Sequence, residues 1–185
     1  MIENINRYKI RTDYRLPDKS RIINSIRSIY ERSFPEDERR DFADLAELTN
    51  TEPAFRIDIF TDENAESIGF ISYWIFSDFV YVEHFAVDEN KRGKGYGKFI
   101  LEKLVNLSSL PLILEVEPPE DETSIRRIRF YENMGFILSK IPYLQPAYGP
   151  DKKSVPLLLM SKGNIDLNNC HDQVKETLFR EVYKV

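Results

Sequence analysis

Apolar positions recur along this 185-residue chain with two periods, and the switches between them outline its elements. Ile22, Ile23, Ile26, Ile29 and Tyr30 sit at helical spacing across Arg21 to Phe34, a run that stops before Pro35. Pro35 to Leu48 continues as a charged helix with Phe42, Leu45, Ala46 and Leu48 on its inner side. The period then shortens to two. Ile57 and Ile59 alternate with Arg56 and Asp58 in a strand from Phe55 to Phe60, and Asp62 to Ser67 has turn composition. Ile68 to Ser77 and Phe79 to Val87 are rich in aromatic and β-branched residues, predicting two antiparallel strands about a tight Ser77–Asp78 turn.

Helical spacing returns at Tyr96 to Leu107, where Ile100, Leu104 and Leu107 share a face. Leu112 to Glu117 is a short strand fenced by prolines 111, 118 and 119. A helix follows over Ser124 to Met134, with Asp121 or Thr123 as its cap and Gly135 at its left-handed stop. Phe136 to Ile141 and Pro156 to Met160 predict two last strands joined by a loop, and a final amphipathic helix runs through Val174, Leu178 and Val182. The order is two helices, three strands, helix, strand, helix, two strands. That predicts a mixed α+β fold, with helices covering a mixed sheet, and no linker divides the 185 residues into separate domains.

Composition narrows the function. Apolar residues make up 42% of the chain, enough to bury a core and to set disorder aside. A net charge of −5 disfavours a nucleic-acid partner and suits a cationic one. Cys170 is the single cysteine, so no intrachain disulfide forms. Met1 to Leu16 is polar, unlike a signal peptide, and no apolar run has the length of a membrane span. The expectation is a cytoplasmic protein without a membrane partner, and a homodimer is neither required nor forbidden.

The strongest chemical signal is Arg92–Gly93–Lys94–Gly95–Tyr96–Gly97–Lys98, between the strand ending at Val87 and the next helix. Glycines permit positive φ and close backbone approach, while a helix N-terminus presents unpaired N–H groups and partial positive charge. Such a loop cradles a pyrophosphate, with Arg92, Lys94 and Lys98 adding charge. A dinucleotide fingerprint would need a third glycine where Lys98 stands, and an NTPase loop would need Ser or Thr where Phe99 stands. The plain alternative is a solvated basic turn.

The chain here resembles the GNAT superfamily of N-acetyltransferases. Arg92, Gly95 and Gly97 match its Arg/Gln-x-x-Gly-x-Gly/Ala signature after Phe85–Ala86–Val87, and Phe130–Tyr131 with Gly135–Phe136 matches a second element downstream. The resemblance covers residues 68–160 and leaves 164–185 as a C-terminal helical extension. It implies a central, mostly antiparallel mixed sheet of about seven strands that splays between Phe79–Val87 and Leu112–Glu117 to admit CoA. It also implies that Phe85, Ala86 and Val87 pair with the pantetheine arm while residues 92–98 hold the pyrophosphate. Ser124 and Arg127 stand where relatives often carry Asn and Ala; Ser124 is the candidate pantetheine contact there, and Arg127 a candidate for a CoA phosphate.

Acetyl transfer to an amine needs a base, because the neutral form of an alkylamine of pKa near 10.4 costs roughly 4.6 kcal/mol at pH 7. Glu83 shares a strand face with Tyr81, Phe85 and Val87 and stands four residues before the strand-end Val, where some relatives carry a base. Glu115 and Glu117 are the fallback bases, and His84 points to the opposite, structural face. An amide of Phe85 or Val87 is the candidate oxyanion donor. Tyr131 sits at the motif position that protonates the leaving sulfur in relatives, and Cys170 lies outside the matched region. The resulting expectation is an acetyl-CoA-dependent N-acetyltransferase acting in a ternary complex on a small-molecule or peptide amine, without a metal. The alternatives are a catalytically silent CoA-binding module and a transferase of another acyl group. Acceptor choice would rest with Arg21–Leu48, including Glu36, Asp37, Glu38, Asp41 and Asp44, and with the Tyr143–Pro150 loop.

Overall fold

The computed structural model describes residues 9–11 and 19–185, so most of the polar N-terminal stretch Met1 to Leu16 lies outside the described residues. Contacts group the chain into two compact units, one comprising residues 1–35, 41–75 and 82–107, the other residues 36–40, 76–81 and 108–185.

In the first unit, β1 (Lys9–Arg11), β2 (Phe55–Thr61) and β3 (Ser67–Ile75) form an antiparallel ladder, with Ile10 opposite Phe60 and Ile59 opposite Phe70. The strand β4 (Val80–Val87) lies beside β3. Gly69 makes that approach possible, since a Cβ there would fall 2.5 Å from the Ala86 carbonyl oxygen. The predicted helix from Arg21 to Phe34 is broken into α1 (Lys19–Asn24) and α2 (Arg27–Ser33). The break is local chemistry: the Ser25 hydroxyl donates to the Ile22 carbonyl at 2.7 Å, taking an acceptor the helix would otherwise use. Ile26, at the break, and Tyr30 remain fully buried, and Tyr30 packs on Phe42, Phe70 and His84. The Pro35–Leu48 helix starts late, as α3 (Phe42–Thr51), after a single 3-10 turn at Glu36–Glu38. The helix α4 occupies Tyr96–Leu107, the range expected from its spacing.

A carboxylate is sealed into this unit. Asp58 on β2 is buried, and its carboxylate accepts a hydrogen bond from the Tyr73 hydroxyl at 3.4 Å. Burial pushes its pKa from the ordinary 3.8 up to about 6, against the opposing pull of Tyr73 and Arg56.

In the second unit, β8 (Val155–Lys162) pairs antiparallel with β5 (Leu112–Val116), with β6 (Ile137–Leu138) and with β7 (Tyr143–Gln145). The two three-residue strands, β1 in the first unit and β7 in the second, were not expected, because strands so short carry too few positions to show alternation. The expected strand Phe136–Ile141 shrinks to two residues, while β8 outgrows Pro156–Met160. The helix α5 (Glu122–Asn133) opens on a capping box: the Asp121 carboxylate accepts the Thr123 and Ser124 amides, and Ser124 returns a bond to Asp121. It closes at Gly135, whose φ of +83° is the expected left-handed stop. The C-terminal α6 (Leu167–Thr177) runs on through a π-helical turn at Leu178–Tyr183, burying Leu178, Val182 and Tyr183.

Candidate active site

On β4 the alternation of a half-covered strand is visible residue by residue. Val82, His84 and Ala86 are buried, while Glu83, Phe85 and Val87 on the other face are half-exposed. His84 stacks edge-on against Tyr30 and Phe34 at 5.0 and 4.8 Å, and the Ser72 hydroxyl accepts its amide, which is the structural setting its strand position predicted. Glu83 is held by a side chain that sequence reasoning passed over. The Trp74 indole on β3 donates to its Oε2 at 2.8 Å. That indole N–H bonds one carboxylate oxygen and orients the group.

Beyond Val87 the chain turns at Asp88, whose amide bonds back to the Ile68 carbonyl and whose carboxylate accepts the Asn90 amide. Arg32 bridges Asp88 and Glu89, and Lys91 bridges Asp62 and Glu66, so the approach to the loop is pinned on both sides. Arg92 reaches back, its Nε donating to the Val87 carbonyl at 3.2 Å. Gly93 and Gly95 then adopt φ of +77° and +83°, and a Cβ built on either would meet nothing within 4 Å. These glycines are therefore needed for the backbone turn and not for want of space, and the space beside them is open.

The first bond of α4 runs from the Phe99 amide to the Gly95 carbonyl, so the amides ahead of it point out of the first turn. Lys94 and Lys98 are exposed beside them, Lys98 3.7 Å from Glu102. Open backbone, outward amides and basic side chains at one helix end fit a pyrophosphate.

In the second unit, Tyr131 projects from α5 into a buried position, with its ring against Phe130 and Phe136. Desolvation pushes its pKa up to about 12, slightly offset by Arg127. The Ser124 hydroxyl donates to the Asp121 carbonyl at 3.0 Å and accepts the Asp121 amide at 3.1 Å, so the α5 cap occupies it. Arg127 forms a close ion pair with Glu117. Glu115, the other fallback base, accepts the Tyr183 hydroxyl on both oxygens, at 3.1 and 2.9 Å.

Two segments assigned to acceptor choice do meet. The Gln145 amide donates to the Asp37 carbonyl, the Lys153 amide to the Asp37 carboxylate at 2.8 Å, and Lys152 to the Arg39 carbonyl at 2.6 Å. Glu38 lies here too, its pKa raised by burial. Cys170 sits on α6, donating weakly to the Asp166 carbonyl. Among the described residues no group of three or more His, Cys, Asp or Glu is placed to hold a metal, and no helix is long and apolar enough to cross a membrane.

Comparison with known proteins places this arrangement. The Acetyltransferase (GNAT) family model matches residues 21–136. A Bacillus subtilis (strain 168) protein, YjbC, provisionally named an acetyltransferase, is 33% identical over 106 residues. That match takes in 56% of this chain and 52% of YjbC, about half the relative's length. A GNAT-family structure from Bacteroides thetaiotaomicron, also provisionally an acetyltransferase, superposes with a TM-score of 0.85 at 35% identity, covering 97% of this chain and 99% of that one. Phosphinothricin acetyltransferase of Sinorhizobium meliloti, solved in complex with acetyl-CoA, shares the fold at a TM-score of 0.59 and 18% identity, covering 84% of this chain and 88% of its own. The chain is a member of the GNAT family of acetyltransferases, and its mixed sheet with flanking helices is that family's fold.

Proposed function

We propose that this protein, acting as one domain over residues 1–185, is an N-acetyltransferase that moves the acetyl group of acetyl-CoA onto a primary amine in a ternary complex. The observation that carries the reading is the turn after β4: two left-handed glycines, open on their Cβ side, deliver exposed basic residues and outward amides to the start of α4. Residues 92–98 hold the pyrophosphate, and the end of β4 at Phe85, Ala86 and Val87, where Phe85 and Val87 are half-exposed, holds the pantetheine arm. Ser124 serves this site through the cap that starts α5.

Acetyl-CoA supplies an activated thioester; the chain's own groups handle protons. Glu83, held by Trp74, takes the amine proton as the N–C bond forms and the C–S bond breaks. An amide of Phe85 or Val87 donates to the carbonyl oxygen as it gains charge. Tyr131 is assigned to the departing sulfur. An ordinary thiol has a pKa of about 8.5, so full proton transfer from a tyrosine at about 12 would be uphill by about 5 kcal/mol. Its contribution is a donated hydrogen bond, and the proton itself reaches the thiolate from water.

The test is thiol release by purified protein given acetyl-CoA and a panel of primary amines, read beside a calorimetric titration with acetyl-CoA. Turnover with at least one amine is expected. Tight acetyl-CoA binding with no turnover across alkyl, aryl and peptide amines would refute the transferase and leave a binding module.

A further inference from the structure

The tail of the chain builds something that none of the family motifs accounts for. Tyr183, in the turn after α6, is 7% exposed and reaches Glu115 on β5, donating its one proton to the two carboxylate oxygens at 3.1 and 2.9 Å. Its oxygen lies 3.1 Å from the Tyr81 hydroxyl, and since the Tyr183 proton is spent, Tyr81 is the donor in that pair. The Tyr148 ring packs on the Tyr183 ring at 5.0 Å. Arg40 locks the assembly from outside: its guanidinium covers the Tyr148 ring at 4.7 Å and donates to the Val182 carbonyl at 2.5 Å. A fourth phenol belongs to the same group. The Tyr143 hydroxyl is buried without a hydrogen-bond partner of good geometry, yet Glu115 lies near enough to raise its pKa further beyond the effect of burial, while Tyr183 pulls it the other way.

A half-exposed carboxylate bonded by one tyrosine, with Tyr143 near it and Tyr81 and Tyr148 grouped on that tyrosine, has a specific chemistry. The carboxylate supplies charge, the ring faces attract cations, and the hydroxyls bond N–H donors as acceptors. Buried polar atoms are nearly always paired, so an idle Tyr143 hydroxyl at the rim of such a site marks the place of a missing partner.

We propose that the Glu115 cluster, completed by Tyr183 from the C-terminal turn, is the recognition site for the acceptor's ammonium group, and that it selects alkylammonium compounds over neutral or anionic ones. The inference rests on the amine-acetylation reading above. Tyr183 and Tyr143 are specificity-determining residues in it, and Glu115 provides the charge.

The experiment titrates the full chain, without acetyl-CoA, with n-butylammonium chloride, butan-1-ol and sodium butyrate as probes of one length and three charges. Butylammonium binding is expected, with neither control competing. Glu115→Gln should weaken it roughly tenfold or more, the scale of a lost charge-assisted contact. Tyr143→Phe separates ligand binding from packing: removing an unpartnered buried hydroxyl should leave the melting temperature unchanged or raised while butylammonium affinity falls. Tyr183→Phe should shift affinity in the same direction. Equal binding of butan-1-ol, absence of butylammonium binding, or unchanged affinity in folded Glu115→Gln overturns the site. A positive thiol-release screen with no butylammonium binding refutes the site and spares the transferase; butylammonium binding with a silent screen does the reverse.

Discussion

Replacing Glu83 with Gln isolates proton acceptance, because the amide oxygen of Gln can still accept from the Trp74 indole, whose Nε1 lies 2.8 Å from Oε2. The fold should therefore persist while basicity is lost. A positioned base is worth roughly 10²–10⁴-fold in general. The amine sets a tighter ceiling. At pH 7 about one alkylamine in 2,500 is neutral, equivalent to about 4.6 kcal/mol, and a variant with no base loses at most that factor by waiting for the neutral fraction. The deficit in kcat/KM at pH 7 should then lie between roughly 10² and 2,500-fold. The ceiling drops tenfold per pH unit, to about 25-fold at pH 9.

The assay is thiol release with one primary alkylamine from about pH 6.5 to 9.5, alongside a melting curve at each pH. A deficit that shrinks along that slope with an unchanged melting temperature supports Glu83. A constant, pH-independent offset with lowered stability would mean that the Trp74–Glu83 contact is structural, and that Glu115, Glu117 or a bound water takes the proton.

Three further changes probe separate links. Tyr131→Phe removes the donor and keeps the buried ring against Phe130 and Phe136, so turnover should fall at nearly unchanged acetyl-CoA affinity; wild-type turnover would reduce the tyrosine to packing. Gly95→Asp puts a side chain on a φ of +83° and a negative charge in the cradle, so calorimetric affinity for acetyl-CoA should collapse in a folded protein, and unchanged affinity would reject the cradle. Asp58→Asn tests the buried carboxylate by denaturant unfolding. With a folded pKa raised from 3.8 to about 6, its contribution to stability is present below pH 3.8 and lost as pH rises through 6, a swing of about 3 kcal/mol. The Asn variant should therefore gain up to that much over its parent near pH 8 and lose the advantage near pH 4; a pH-independent difference would contradict the burial argument.

What could be read from the sequence was local. The bounds of α4, the Asp121 cap and the Gly135 stop each depend on neighbours within a turn, and so does the left-handed loop at Gly93 and Gly95. Side-chain competition with the backbone defeated the reading at Ser25, where apolar spacing runs through a break that one hydroxyl helps to make. Strands of two or three residues have no period to detect, which hid β1 and β7. The cluster around Glu115 escaped for a different reason. Tyr183 and Glu115 are 68 residues apart and Arg40 and Val182 are 142 apart, and no spacing rule joins positions so distant. The usable signal was compositional: four tyrosines outside the matched motifs, two of them beside prolines or at the chain's end.

The preferred base Glu83 and the fallback bases Glu115 and Glu117 differ in the donors that reach them. Glu117 faces the Arg127 guanidinium, so its charge is already compensated and it gains little by accepting a proton. Glu115 accepts the Tyr183 hydroxyl, a neutral donor, on both oxygens. Glu83 faces the Trp74 indole, which can bond only one oxygen and has no proton to exchange at neutral pH. A group that must bind an ammonium benefits from a fixed negative charge; a group that must remove a proton benefits from an orienting contact. The donors thus argue for two carboxylates with divided tasks, Glu115 for recognition and Glu83 for proton removal. Glu115→Gln should then act mainly on KM for the amine, with a pH profile parallel to wild type, whereas the Glu83→Gln deficit closes with pH. If both variants gave the same pH-dependent loss of kcat, the division would be wrong and the pair would be functioning as one relay.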